Sequence, residues 1–283
     1  MKLCDLHSHS FFSDGTVSPA ELIALAQRQG LQALTLCDHN TVAGLPDFLA
    51  AAEGSGVEAV PAVELSTDYL GKELHIMMFF VTPEDYAAVT ARVDKLRTDK
   101  EESNRKLVAA LGKDGVVINY KALQKDAPDG YINRAHIAAE LMRLGYAGSV
   151  QEAFKTYLSP KGKYYTPPEK PDAFETIRFI KSRGAVAVLA HPYLNLRQEE
   201  LETFLPKAVC CGLDGMEVLY SKYDEATEKL AKETAEKYGL LFSGGSDFHG
   251  ENKPDIQLGT GRGNLRIPMV FLEKLKEKKT AKK

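Results

Sequence analysis

Ser243-Gly244-Gly245-Ser246-Asp247-Phe248-His249-Gly250 follows the strand-like run Leu240, Leu241, Phe242 near the C-terminus, and its reading decides the fold. The run loses its side chains at Gly244 and Gly245, which lets the backbone come close to a neighbour. Alternation along an extended chain then predicts Asp247 and His249 on one side. A carboxylate beside an imidazole fits a catalytic pair, a pair of metal ligands or a polar strand end. The chain begins with a matching pair: Leu3 to His9 reads as an apolar strand ending in His7-Ser8-His9.

Between these ends, strands and helices alternate. Ser18, Pro19 and Glu21 form a helix start of the capping-box type, and that helix stops at Gly30. Leu31 to Cys37 is a buried-looking strand followed by Asp38-His39-Asn40, and a helix runs from about Gly44 to Glu53. Val57 to Val63 is a strand ending in Glu64. After a turn at Gly71-Lys72, Leu74 to Val81 is another strand, with His75 near its start. Thr82-Pro83-Glu84-Asp85 caps a helix reaching about Leu111. From about Glu101 to Lys170 the alternation lapses, which reads as an inserted, mostly helical subdomain with a Pro-, Tyr- and Lys-rich exit. It then resumes: a helix capped by Asp172, the strand Ala185 to Ala190 before His191-Pro192, and a helical region to Cys211. Met216 to Tyr220, a helix from Asp224 to Tyr238, and Leu240 to Ser243 complete it.

Seven strands with helices between most of them favour an α/β barrel or an open doubly wound sheet. In both, sites form at the carboxyl ends of the strands. His7, His9, His39, Glu64, His191, Asp247 and His249 all fall there, and Asp14 lies in the first such loop. His75 is the exception.

Length and composition set bounds. The chain has 283 residues, 44% hydrophobic and 27% charged, as in an ordinary globular protein able to bury a large core. A net charge of -3 exerts no general pull on nucleic acid. Only Lys274 to Lys283 is basic, and it reads as a solvated, frayed end. No signal peptide or membrane-spanning run is visible, and the four cysteines form no CxxC pair. Cys4 and Cys37 read as core residues. Adjacent Cys210 and Cys211 are poorly placed for a mutual disulfide. The expectation is a reduced, cytoplasmic protein with no obligate protein partner.

One histidine at a strand end is ordinary; six of the seven, beside Asp14, Glu64 and Asp247, are not. A cluster of imidazoles and carboxylates without thiolate suits zinc, manganese or iron. The donors are too many for one ion and enough for two or three, with Glu64 as the natural bridge.

In order, HSHS…SDG, CDHN, VEL, H, AHP and GSDFHG resemble the polymerase and histidinol phosphatase (PHP) family of metal-dependent phosphoesterases. The resemblance covers about residues 1–100 and 171–265. It implies a distorted seven-stranded β/α barrel with a trinuclear site, interrupted by the insertion at 101–170 and followed by a tail at 266–283. It further implies one ion on His7, His9, Glu64 and Asp247, a second on Glu64, His75 and His191, and a third on Asp14, His39 and His249. Manganese is the leading expectation, with iron, zinc or magnesium as alternatives. Some family members have histidine where this chain has Asp14, so the third position is where the chain departs from them. Asn133-Arg134-Ala135-His136 resembles the insertion of a subgroup containing nucleotide 3′,5′-bisphosphate phosphatases and a 5′-to-3′ exoribonuclease, in which Arg134 and His136 would contact phosphate. Asn133, Lys222, Tyr223 and Lys253 are further candidates for the substrate cleft.

Three divalent ions, three carboxylates and a hydroxide sum to about +2, which attracts phosphate rather than a neutral amide or ester. The expected reaction is in-line attack by a bridging hydroxide, with His191, Asp247 or His136 near the proton traffic. A nucleoside 3′,5′-bisphosphate leads as substrate. Short 5′-phosphorylated RNA, a cyclic or sugar phosphate and histidinol phosphate follow. RNA would need a basic, aromatic track, for which Tyr157, Lys161, Lys163, Tyr164 and Tyr165 are the candidates. Two other classes are weaker. A non-catalytic polymerase-support module should have lost ligands, and C–N hydrolysis on a related barrel fits the phosphate-seeking charge poorly.

Overall fold

Buried apolar runs form the strands, and helices with one apolar face cover them. The computed structural model describes residues 2–126 and 132–280; residues 127–131 of the expected insertion and the last three of the expected tail lie outside these. In chain order the first half comprises β1 (Leu3–Ser8), α1 (Pro19–Arg28), β2 (Ala33–Leu36), α2 (Leu45–Ala52), β3 (Glu58–Tyr69), β4 (Lys72–Phe79) and α3 (Tyr86–Lys113). Then come α4 (Tyr120–Asp126), α5 (Arg134–Arg143), α6 (Val150–Thr156), α7 (Ala173–Ser182) and β5 (Val186–Ala190). The chain closes with α8 (Gln198–Cys211), β6 (Gly215–Tyr220), α9 (Glu225–Lys237), β7 (Leu241–Gly245), β8 (Ile267–Pro268) and α10 (Met269–Thr280). Ser18 caps α1 with the expected reciprocal bond from Glu21, and Asp172 and Asp224 cap α7 and α9.

The strands make one sheet in the order β7-β6-β5-β4-β3-β2-β1-β8. It nearly closes into a barrel, because Ser8 at the end of β1 bridges Phe248 beyond β7. Gly245 makes this closure possible. A Cβ there would lie 2.1 Å from His7 Cβ and 2.5 Å from His7 N, so the neighbour the glycine admits is β1 itself. The chain is not extended beyond that point: Asp247 sits at φ 57°, in the left-handed region. A turn, rather than strand alternation, therefore brings Asp247 and His249 together.

Three further expectations change. β3 does not end at Glu64; it runs on to Tyr69 because β4 folds back antiparallel along it, pairing Glu64 with Met77 and Ser66 with His75. β4 is also antiparallel to β5, so its N-terminal end lies at the edge where the parallel strands finish. His75 thus belongs with the other strand-end histidines. Secondly, there are eight strands, since two-residue β8 pairs with Leu3 and Cys4. Thirdly, the basic tail is not frayed as far as Thr280: α10 buries Leu272 and Leu275 in the main core, while Lys276 pairs with Glu58 and the Lys279 ammonium donates to Phe80 O at 2.8 Å.

The insertion has its own apolar cluster, including Leu107, Leu111, Ile132, Ile137, Leu141 and Leu158, apart from the barrel core. It is tied to the barrel beside the first loop, where Asn133 Nδ2 donates to Ser13 O at 3.0 Å. No described helix is long and apolar enough to cross a membrane.

Candidate metal centre and adjoining cavity

The strand ends bring all nine expected ligands into one buried cluster. His7 near the end of β1 and His9 just beyond it turn to the same side, with their Nε2 atoms 3.0 Å apart. Both are 3.3 Å from Glu64 Oε2, and Asp247 Oδ1 is 3.6 Å from the first and 3.4 Å from the second. Across the carboxylate, Glu64 Oε1 lies 2.9 Å from His75 Nδ1 and 3.1 Å from His191 Nε2. Asp14 Oδ1 is 3.2 Å from His249 Nε2 and 3.8 Å from His39 Nε2. These distances sort the donors into three sets, two of which share Glu64. His39 connects two of them, because its Nδ1 is also 3.1 Å from Glu64 Oε2. Cys37 lies close enough to His7 and His9 to join a donor set, but burial pushes its thiol up, and it stays a protonated core residue donating to Ser8 O.

Proton placement tests whether cations fit. Glu217, fully buried, has Oε1 2.9 Å from His7 Nδ1; a carboxylate only accepts, so the His7 proton is on Nδ1. The Asp247 carbonyl likewise fixes the His249 proton on Nδ1, at 2.8 Å. In the neutral rings that a cation needs, the Nε2 lone pairs of His7 and His249 face the oxygens of Glu64 and Asp14; without one, His7 is drawn towards its protonated form. His39 Nδ1 is close to Glu64 Oε2 but buried without a hydrogen bond. Donors that converge without bonding one another suit shared cations, and the residues fit two or three divalent ions. The electrostatics agree. Burial would push Asp14, Glu64 and Asp247 up, yet neighbouring imidazoles, joined at Asp247 by Lys253, hold all three well below the usual carboxylate range. Burial pushes His75 down, but Glu64 and Glu73 overrule it and lift it to about 10.

Supporting groups went unrecognised in the sequence. Glu217 Oε2 accepts the His191 backbone N–H at 2.7 Å, so one carboxylate holds ligands from two strands. His191 needs that hold, since its φ is 28°. Tyr220 donates to Asp247 Oδ2 at 2.7 Å and Lys253 reaches the same oxygen at 2.6 Å, leaving Oδ1 for the cluster. Asp38, which burial pushes up to about 6 against His9 and serine hydrogen bonds, accepts from the Ser10 and Ser13 hydroxyls and shapes the loop carrying Asp14. The available signal was a lone acid, Glu217, within the apolar run Met216 to Tyr220.

A cavity of about 670 Å³ opens off the cluster at Asp14 and His249, between α6 and the barrel loops carrying Lys222 and Lys253. A smaller one, about 140 Å³, reaches His39 and His75 and shares Asp14, Arg134 and Phe154 with it. Arg134 thus stands at the mouth of the site. Its guanidinium donates to Leu158 O at 3.2 Å and lies over the Tyr165 ring, 4.5 Å from the centroid. Asn133 and His136 cap α5: the carboxamide accepts from Ala135 N and His136 N, and His136 Nδ1 accepts from Asn133 N. Tyr223 is buried, its hydroxyl accepting from Tyr193 N. The expected aromatic track is engaged elsewhere. Lys163 and Tyr164 both bind Asp114, Tyr157 donates to Tyr146 O, and Tyr165 is buried beneath Arg134.

A family model described as the PHP domain matches residues 5–165. The chain is 32% identical over 249 residues to a 5′-3′ exoribonuclease of Haemophilus influenzae, covering 88% of this chain and 90% of that one. It is 29% identical over 258 residues to the 3′,5′-nucleoside bisphosphate phosphatase of Chromobacterium violaceum, covering 89% and 90%. A solved structure from Bifidobacterium adolescentis, described as a metal-dependent phosphoesterase, superposes with a TM-score of 0.86 at 27% identity, covering 98% of this chain and 96% of that one.

Proposed function

The chain belongs to the PHP family of metal-dependent phosphoesterases, and from that premise we propose that its substrate is a nucleoside 3′,5′-bisphosphate, from which it removes the 3′-phosphate. The observation that carries this is the cavity of about 670 Å³ beside the cluster, a pocket with ample room for a nucleotide next to the ligands. The engaged side chains at Tyr157 to Tyr165 support the same preference for a small substrate.

The ligand sets are His7, His9, Glu64 and Asp247; Glu64, His75 and His191; and Asp14, His39 and His249. Manganese is the proposed ion, tested against iron, zinc and magnesium, because the Asp14 oxygen in the third set suits a hard cation. Divalent ions, when bound, acidify water and neutralise charge developing on a phosphoryl group. The chain's own residues do the rest. Arg134 at the mouth offers a planar fork to phosphate oxygens. Lys253 and Tyr220 hold Asp247 by Oδ2 as an ionised acceptor. Four free thiols suit a reducing, cytoplasmic compartment.

The test is phosphate release by manganese-loaded protein from adenosine 3′,5′-bisphosphate, with AMP, histidinol phosphate and a 5′-phosphorylated RNA dinucleotide alongside. Fast release from the bisphosphate alone is expected; comparable rates on all four would sink the assignment. A second reading, trimming of short 5′-phosphorylated RNA, rests on the likeness to the Haemophilus influenzae exoribonuclease and predicts release of a nucleoside monophosphate from the dinucleotide.

A further inference from the structure

The wall chemistry of the large cavity does not match a ligand that is only a phosphate. On the α6 side the partly exposed Val150 and Phe154 make an apolar wall, backed by buried Leu158. On the rim, four basic side chains, Arg134, Lys155, Lys222 and Lys253, meet one carboxylate, Asp14, which already belongs to the metal cluster. Two of the four are engaged: Lys253 with Asp247, and Arg134 with Leu158 O and the Tyr165 ring. Among the described residues, Lys155 and Lys222 have neither a hydrogen-bond nor an ion-pair partner. They project from opposite sides, Lys155 from α6 of the insertion and Lys222 from the loop after β6. Burial, then repulsion from Lys253, pushes the Lys222 ammonium down, with Asp247 and Asp255 offsetting part of the shift. Two ammonium groups without an anionic partner beside the metal cluster suit a second anionic group on the same molecule.

The geometry points to a subsite for the part of the substrate that does not react: the base lies on Val150 and Phe154, and the retained phosphate sits between Lys155 and Lys222. This deepens the proposed function and rests on it. It makes α6 the element that selects a bisphosphate over a monophosphate, since half of the phosphate clamp is on the insertion and half on the barrel. A nucleoside 3′-monophosphate would present its reacting group equally well but leave both lysines unpaired.

The test compares kcat/KM for adenosine 3′,5′-bisphosphate with that for adenosine 3′-monophosphate in wild type, Lys155→Ala, Lys222→Ala, the double variant and Lys155→Glu. Lys229→Ala, on the exposed face of α9, serves as the control, and melting temperatures confirm folding. Wild type should prefer the bisphosphate. Each alanine should lower that preference about 10-fold, and the double variant should bring it near one. Lys155→Glu should invert it, and the control should keep the wild-type ratio. If wild type hydrolyses the bisphosphate and the double variant keeps its preference, the subsite is overturned while the reaction stands. If wild type releases nothing from the bisphosphate, the substrate reading fails, and the subsite with it.

Discussion

Replacing Glu217 by Gln changes almost no volume but removes one acceptor from a buried position that uses two. The carboxylate takes the His7 Nδ1 proton at 2.9 Å and the His191 N–H at 2.7 Å, with no exposure to water. A carboxamide offers one oxygen and one NH₂. If the NH₂ faces His191, two donors confront each other out of water, at a cost of about 1–3 kcal/mol. If it faces His7, that ring must change tautomer and place its proton on Nε2. There it points at His9 Nε2, 3.0 Å away, and at Glu64 Oε2, 3.3 Å away, where a cation would otherwise be held. Either outcome weakens metal binding, by about 10- to 100-fold on the precedent of residues that orient metal-binding histidines. A manganese titration in competition with a chelator measures the affinity, and ¹⁵N spectra of the imidazoles report the His7 tautomer. Wild-type affinity together with an unchanged His7 tautomer and an unchanged melting temperature would refute the positioning role.

Other consequences follow from the same geometry. Asp247→Asn removes an oxygen shared with His7 and His9 and should cost at least about 100-fold in turnover; near-wild-type turnover at full metal content would remove Asp247 from the site. Gly245→Ala drives a methyl group into the β1 backbone at His7 and should cost at least about 1–3 kcal/mol in thermal unfolding, with loss of metal; an unchanged melt would mean β1 and β7 are not so close. The Asp85 carboxylate accepts from Thr82 N and Oγ1 in the short turn before α3 and pairs with Arg183 at 2.9 Å; burial raises its pKa, but the Thr82 N–H and the guanidinium outweigh this and lower it overall. A depressed carboxyl stabilises the fold above its unfolded pKa of about 3.9 and loses that contribution as pH falls through the folded value. Asp85→Asn should therefore cost about 1 kcal/mol at pH 7 and less once pH has fallen through the folded pKa, as denaturant titrations would show; an equal cost throughout would contradict the assignment.

Strand ends were legible because β/α alternation is local and the ligands sit where strands stop. His75 looked misplaced only because strand direction is a tertiary fact: nothing between Leu74 and Val81 announces that β4 runs antiparallel to both neighbours. Asp247 and His249 were rightly paired for the wrong reason, since a left-handed residue does what alternation was credited with. Glu217 and Tyr220 hid inside an apolar strand, where a polar residue reads as a packing exception until its partners, more than 20 positions away, are known. The tail misled because only Leu272 and Leu275 of α10 are buried, and the lysines around them carry the composition of a solvated end. Arg134, Lys222 and Lys253 were legible as candidates for the cavity, but its α6 wall was not. Its walls come from α6 and from loops after β6 and β7, joined only once the insertion packs over the barrel.

The central claim is that this cluster removes the 3′-phosphate of a nucleotide bisphosphate and stops. Chromatography of the products formed from adenosine 3′,5′-bisphosphate by manganese-loaded protein tests it most directly. One equivalent each of inorganic phosphate and 5′-AMP is expected, with no adenosine on long incubation. Accumulation of 3′-AMP, or of adenosine with two equivalents of phosphate, would contradict it.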